Sequence, residues 1–178
     1  MRLTSFSDYA LRMLMFAASS GEASFTIEAA SRAFGVSRTH LNKVASTLTR
    51  GGFLKALRGR SGGLLLARPA EMIRIGDVVR LTEPDFAVVE CFATGNQCVL
   101  TRTCKLSGML GEAIGSFLST LDRYTLADIV LAPTAFASIL PDAPPRPRRP
   151  YRRKAAARTA AADAAPLSPD TMPDTSAP

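Results

Sequence analysis

The stretch Ser37-Arg38-Thr39-His40-Leu41-Asn42-Lys43-Val44-Ala45-Ser46-Thr47-Leu48-Thr49-Arg50-Gly51-Gly52 carries two patterns at once. Leu41, Val44, Ala45 and Leu48 recur at three- and four-residue spacing, the period of one buried helix face. Ser37 stands where an N-cap belongs, and Gly51-Gly52 where the helix must stop. The outward positions are Arg38, Thr39, His40, Asn42, Lys43 and Ser46. These donors and acceptors have the size that reads base edges in a major groove.

Downstream, Phe53–Leu57 and Leu64–Ala67 read as two short strands around the turn Arg58-Gly59-Arg60-Ser61-Gly62-Gly63. Upstream, Thr26 is placed to cap a short helix with Ile27, Ala30 and Phe34 on one face, and Gly35 turns the chain out of it. Before that, Phe6, Tyr9, Ala10, Met13, Leu14 and Ala17 mark a first helix, capped by Thr4 or Ser5, with Gly21 just past its end. Two helices joined by a tight glycine turn and followed by a hairpin predict a winged helix-turn-helix.

Charge supports that reading. From Ala29 to Ala70 there are eight arginines and lysines and no acid. One half of the body is therefore suited to a polyanion, double-stranded DNA above all. The DNA-binding candidates are Ser37, Arg38, Thr39, His40, Asn42 and Lys43 on the helix, with Arg58, Arg60 and Ser61 on a hairpin tip slim enough to approach the backbone. Taken singly, each reads as an ordinary solvated side chain; together, and without acids, they favour DNA. His40 has no partner at metal-ligand spacing in its helix, so it reads as a DNA-facing or surface residue.

Beyond the hairpin, a fourth helix fits Ile75–Leu81. A longer one fits Lys105–Asp122, with Leu106, Met109, Leu110, Ala113, Phe117 and Leu121 along one stripe. Thr125 and Asp128 make a capping-box-like pair for a last short helix. Composition changes near Leu140: the last 38 residues hold nine of the twelve prolines and ten alanines, with an arginine cluster. Large apolar residues are almost absent there, so residues 141–178 are expected to be a disordered tail, either a solvated extension or a non-specific nucleic-acid contact. The chain thus divides into 1–83 (DNA-binding domain), 84–104 (a cysteine loop), 105–140 (a helical segment) and the tail.

The 178 residues are 47% hydrophobic, enough for a core, and carry a formal charge of +7. No apolar run approaches the roughly 20 residues of a membrane span. Asp8 interrupts the first apolar stretch, so no secretory signal is expected. Three cysteines cannot close a paired disulfide framework and suit a reducing compartment, the cytoplasm. A single histidine removes most catalytic constellations, which points away from an enzyme.

Cys91, Cys98 and Cys104 are separated by six and five residues, too far apart for the tight pairs of a zinc knuckle. Three thiolates on a turn-rich loop can wrap an iron–sulfur cluster but leave a fourth ligand to find. By spacing alone, unrelated buried thiols or a thiol redox switch read equally well. Asp8, by itself, reads as a carboxylate complementing a helix N-terminus, and Arg12 stands one turn away to pair with it.

Arg2-Leu3-Thr4-Ser5-Phe6-Ser7-Asp8-Tyr9-Ala10-Leu11-Arg12, the Gly59-Arg60-Ser61-Gly62-Gly63-Leu64 wing, Ile75-Gly76-Asp77-Val78-Val79 and the three late cysteines resemble the iron–sulfur repressors of the IscR/NsrR/RirA family. Phe117-Leu118-Ser119-Thr120-Leu121-Asp122-Arg123-Tyr124-Thr125-Leu126-Ala127-Asp128 resembles the NsrR branch in particular. The likeness covers about residues 1–140 and not the tail.

The resemblance implies a mainly α-helical, homodimeric winged-helix repressor of a pseudo-palindromic operator, with the long helix as dimer interface. It implies a cluster on Cys91, Cys98 and Cys104, 4Fe-4S with 2Fe-2S as the alternative. In the NsrR branch the fourth ligand is a carboxylate at the start of the first helix, which here makes it Asp8 of the partner subunit. The IscR branch uses a histidine three residues after the last cysteine, where this chain has Ser107. RirA-like regulators usually lack the helix-one carboxylate. Nitric oxide is the effector so implied. Sensing of iron or oxidants through the same cysteines is the second reading, and an electron carrier the third. The third leaves the basic half unexplained.

Overall fold

The computed structural model describes residues 2–59, 62–100 and 103–132. Arg60 and Ser61 of the expected wing tip, the end of the helical segment (133–140) and the expected tail (141–178) lie outside the described residues.

Helix α1 (Ser5–Ser19) starts at Thr4, whose hydroxyl accepts from the Ser7 amide at 3.3 Å. Its Ala10, Met13, Leu14 and Ala17 are fully buried, the stripe that the periodicity marks. Thr26 caps α2 (Ile27–Phe34) by accepting from the Ala29 amide. Gly35 ends it at φ 63°, a left-handed conformation that costs glycine nothing and most residues something. Two residues later Ser37 caps α3 (Arg38–Arg50), and Leu41, Val44, Ala45 and Leu48 turn inward onto α1 and α2. Phe16 joins the layers, with the rings of Phe25 and Phe34 edge-on at 5.1 and 5.8 Å.

Strands β1 (Leu54–Leu57) and β2 (Gly63–Leu66) form an antiparallel hairpin in the register Leu54 to Leu66 and Leu57 to Gly63. Each strand begins one residue from its sequence-based start. Phe53 is only half paired: its amide closes the end of α3 on the Leu48 carbonyl at 2.9 Å, while its carbonyl accepts from the Ala67 amide at 3.0 Å. Phe25 exchanges two backbone hydrogen bonds with Leu64, 2.9 and 2.7 Å, which stitches the hairpin to the start of α2.

A short 3-10 turn (Ala70–Met72) leads into α4 (Ile75–Thr82), which buries Ile75, Gly76, Val78, Val79 and Thr82. A second 3-10 turn (Glu90–Phe92) lies in the irregular stretch before α5 (Lys105–Asp122). Neither turn is foreseen from the sequence, since three residues show no period. No residue of α5 is buried: Leu106 is 52% and Met109 61% exposed. The chain returns to the body after α5. Ile75 donates to the Tyr124 carbonyl and Leu126 to the Ile73 carbonyl, and Leu126 is fully buried. The expected capping box forms at α6 (Leu126–Ile129), where Thr125 donates to Asp128 from its amide and hydroxyl. Those bonds hold the Asp128 carboxyl below the usual carboxylate range.

Candidate nucleic-acid interface and cysteine loop

Ser37, Arg38, Thr39, His40, Asn42, Lys43 and Ser46 are all exposed along the outer face of α3, because the 3.6-residue period that sends Leu41, Val44, Ala45 and Leu48 inward sends them outward. Arg58, just past β1, is exposed beside them in the chain's order at the hairpin turn. The outer face is not purely basic, however. Glu28, in the first turn of α2, reaches the first turn of α3 and accepts from Arg38 Nη1 at 2.8 Å.

A groove of about 460 Å³ runs between α3 and the hairpin. Its floor is apolar, with Phe25, Ile27, Ala45, Leu57 and Leu64; its α3 edge is polar, with Asn42, Ser46, Thr49 and Arg50. No acid lines it. An apolar floor suits deoxyribose, and hydroxyl, amide and guanidinium donors suit phosphate oxygens. Thr49 and Arg50 are absent from the candidates read off the sequence. At the end of a helix Arg50 looks like a charge answering the macrodipole, and only the hairpin's placement gives it a second wall to face.

The cysteine loop leaves α4 at Glu83. Glu83 Oε1 accepts from the Thr4 amide at 2.8 Å and hydroxyl at 3.1 Å, and the preceding Thr82 hydroxyl lies 2.7 Å from that of Ser7. The loop therefore begins against the first turn of α1, the turn that carries Asp8. Cys91 lies in the Glu90–Phe92 turn, Cys98 in irregular chain, and Cys104 at the N-cap of α5; all three are half-buried. The Glu90 carboxylate accepts from the Gln97 amide at 3.4 Å, drawing together the residues that precede Cys91 and Cys98. The Ser107 hydroxyl is turned to the Cys104 carbonyl at 2.8 Å.

Asp8 is half-buried, and both of its oxygens are engaged by Arg12: Nε donates to Oδ1 at 2.9 Å and Nη2 lies 2.8 Å from Oδ2. This is the one-turn pairing that the sequence permits. Among the described residues, no group of three or more histidine, cysteine, aspartate or glutamate side chains stands together to hold a metal ion, so a single chain does not gather Asp8 and the three thiols. The donor types themselves suit an iron–sulfur cluster: soft thiols in a short turn, in irregular chain and at the start of α5, plus a carboxylate.

A base-sized polar face on the second helix of a helix-turn-helix, flanked by a hairpin, is the architecture of the winged-helix DNA-binding proteins. The chain belongs to the Rrf2 family, described as an iron-dependent transcriptional regulator, whose family model matches residues 3–132. It is 46% identical over 143 residues to the HTH-type transcriptional regulator NsrR of Geobacillus kaustophilus (strain HTA426), covering 79% of this chain and 97% of that one. Among solved structures, T. potens IscR shares the fold at a TM-score of 0.58 and 23% identity over 72% of this chain and 85% of its own. CymR, the global cysteine regulator of B. subtilis, does so at 0.56 and 24%, over 72% of this chain and 95% of its own. Among the described residues no helix is long and apolar enough to cross a membrane.

Proposed function

We propose that the protein is a cytoplasmic, homodimeric repressor of a pseudo-palindromic double-stranded DNA operator, relieved by nitric oxide through an iron–sulfur cluster held by Cys91, Cys98, Cys104 and the partner's Asp8. The cluster is 4Fe-4S, with 2Fe-2S as the alternative. The observation that carries the reading is the likeness to NsrR along 97% of that relative's length, in a chain that sets three half-buried thiols on one loop. When bound, the cluster supplies an iron site open to attack by nitric oxide.

The chain's own residues do the rest. A carboxylate is a harder and more readily displaced ligand than a thiolate, so in such a site Asp8 would be the more exchangeable ligand. Arg12, within 2.9 Å of it, would hold the carboxylate as an ion pair whenever it is not a ligand. Because the loop starts at the Thr4–Glu83 and Ser7–Thr82 bonds, a change in the loop acts at once on the first turn of α1. The exposed stripe of α5, with Leu106 and Met109, is the surface a second protomer would cover. On the outer face, α3 reads bases, and the hairpin with Arg58, Arg60 and Ser61 contacts the flanking backbone.

The test is anaerobic purification with ultraviolet–visible and Mössbauer spectra, followed by titration with nitric oxide while DNA binding is monitored. Loss of binding in step with the loss of cluster signals supports the reading. A protein that is pure, folded and cluster-free under those conditions overturns it. Sensing of iron or oxidants, which the family's description as iron-dependent favours, predicts instead that chelation or air alone releases DNA and nitric oxide does not.

A further inference from the structure

We infer that Glu28 is a positioning residue that sharpens the base choice of Arg38. The inference rests on the assignment of α3 as the DNA-reading helix. Glu28 is the last acid before the acid-free run from Ala29 to Ala70, and the structure sets it against that run's own recognition face. Its Oε2 accepts from Arg38 Nη1 at 2.8 Å, joining the first turn of α2 to the first turn of α3. Both side chains are more than half exposed, so the pair stands in solvent and is not part of the core.

The guanidinium is a planar fork with five donors. Glu28 occupies Nη1, which leaves the other edge to offer two donors toward the O6 and N7 atoms of a guanine. An arginine without such a partner swings among many rotamers and meets phosphates and bases alike. Held at one corner, Arg38 has lost much of that freedom before DNA arrives, so less ordering opposes the correct contact. Glu28 also repels phosphates on every sequence, which lowers affinity for all duplexes alike. The pre-ordering of Arg38 raises the ratio of specific to non-specific binding, and the repulsion lowers total affinity for random DNA.

The experiment selects binding sites from a randomised DNA duplex library with the full-length, anaerobically purified protein and its Glu28→Gln, Arg38→Gln and doubly substituted variants. Glutamine keeps the size of Glu28 and removes its charge. Because both residues are solvent-exposed, each variant should keep the wild-type thermal midpoint, measured alongside. Expected is that Glu28→Gln weakens preference at one position of each half-site, about three- to tenfold, and that this is the position Arg38→Gln loses. Binding of Glu28→Gln to a random duplex should rise. The double variant should select the same sites as Arg38→Gln alone, since Glu28 acts through Arg38. An unchanged Glu28→Gln motif, an even loss over all positions, or additive effects in the double variant would each overturn the inference. A wild-type protein that selects no motif would overturn the reading of α3 itself, and the inference with it.

Discussion

Arg80 of α4 grips Asp122 at the end of α5 with two prongs, Nη1 to Oδ1 and Nη2 to Oδ2, each 2.6 Å. Gly76, one turn earlier on α4, makes room for this: a Cβ there would collide with Asp122 Oδ1. The next residues face two further elements, α3 and the start of α1. Leu81 packs on Gly51 at the end of α3, Thr82 bonds Ser7 of α1, and Glu83 bonds Thr4. The last turn of α4 thus joins the long helix, the recognition helix and the first helix just where the cysteine loop departs.

Arg80 holds the Asp122 carboxyl below its usual range, mainly by the hydrogen bonds and then by its charge. A carboxylate with a depressed folded pKa contributes stability that is present above the ordinary aspartate range, about pH 4, and lost as pH falls through the lower folded value. Asp122→Asn should therefore lower the urea midpoint at pH 7 and leave it unchanged in acid, below the depressed folded value. In a Gly76→Ala background, where Asp122 is already displaced, the same substitution should cost nothing further. An equal effect of Asp122→Asn at both pH values would show that the ion pair is not its source.

Ser7 is fully buried and Thr82 nearly so, and their hydroxyls lie 2.7 Å apart. The Thr82 hydroxyl donates to the Val78 carbonyl at 2.9 Å, which leaves Ser7 as donor between the two. Thr82→Val should destabilise by about 1–2 kcal/mol in urea unfolding, because the Ser7 hydroxyl keeps only a 3.4 Å contact with Thr4. Combining it with Ser7→Ala should recover part of that loss. A double variant weaker than the sum of the singles would exclude an unpaired hydroxyl as the cause.

Arg50 lines the groove between α3 and the hairpin, and a sugar–phosphate strand seated there would meet its guanidinium. Arg50→Gln should weaken binding to all duplexes alike and flatten the salt slope by about one unit, with base preferences unchanged. Binding curves from about 50 to 200 mM salt measure this. An unaltered slope would remove Arg50 from the interface.

Alanine at Cys91, Cys98 or Cys104 should abolish stable cluster binding, as two thiolates hold a cubane poorly. Asp8→Ala should still assemble it, with altered spectra and altered reaction with nitric oxide. In the proposed arrangement, a mixed dimer of one Asp8→Ala protomer and one Cys98→Ala protomer would hold a cluster only in the first, facing an intact Asp8 across the interface. That cluster should behave as in the wild type. Behaviour like the Asp8→Ala homodimer would place Asp8 within its own protomer or outside the ligand set.

Local chemistry determined the elements of this protein. Thr4, Thr26 and Ser37 cap helices by bonding amides three residues away, Gly35 stops one by its own conformational freedom, and Leu41, Val44, Ala45 and Leu48 declare a face by their spacing. The exposed side of α3 and the Asp8–Arg12 pairing were legible for the same reason, since everything involved lies within a few turns of one helix. What only the tertiary structure decided joins residues far apart in the chain: Arg80 with Asp122, Ser7 with Thr82, Thr4 with Glu83, and Glu28 with Arg38 across a helix turn. Periodicity records which side of an element faces inward and not which neighbour waits there. Even the strand start shifted by one residue, because the Phe53 amide goes to the Leu48 carbonyl and only its carbonyl pairs across the hairpin, with the Ala67 amide. The long-range contacts, 42 to 79 residues apart in the chain, are set by how the helices pack, and no short window of sequence contains both of their ends.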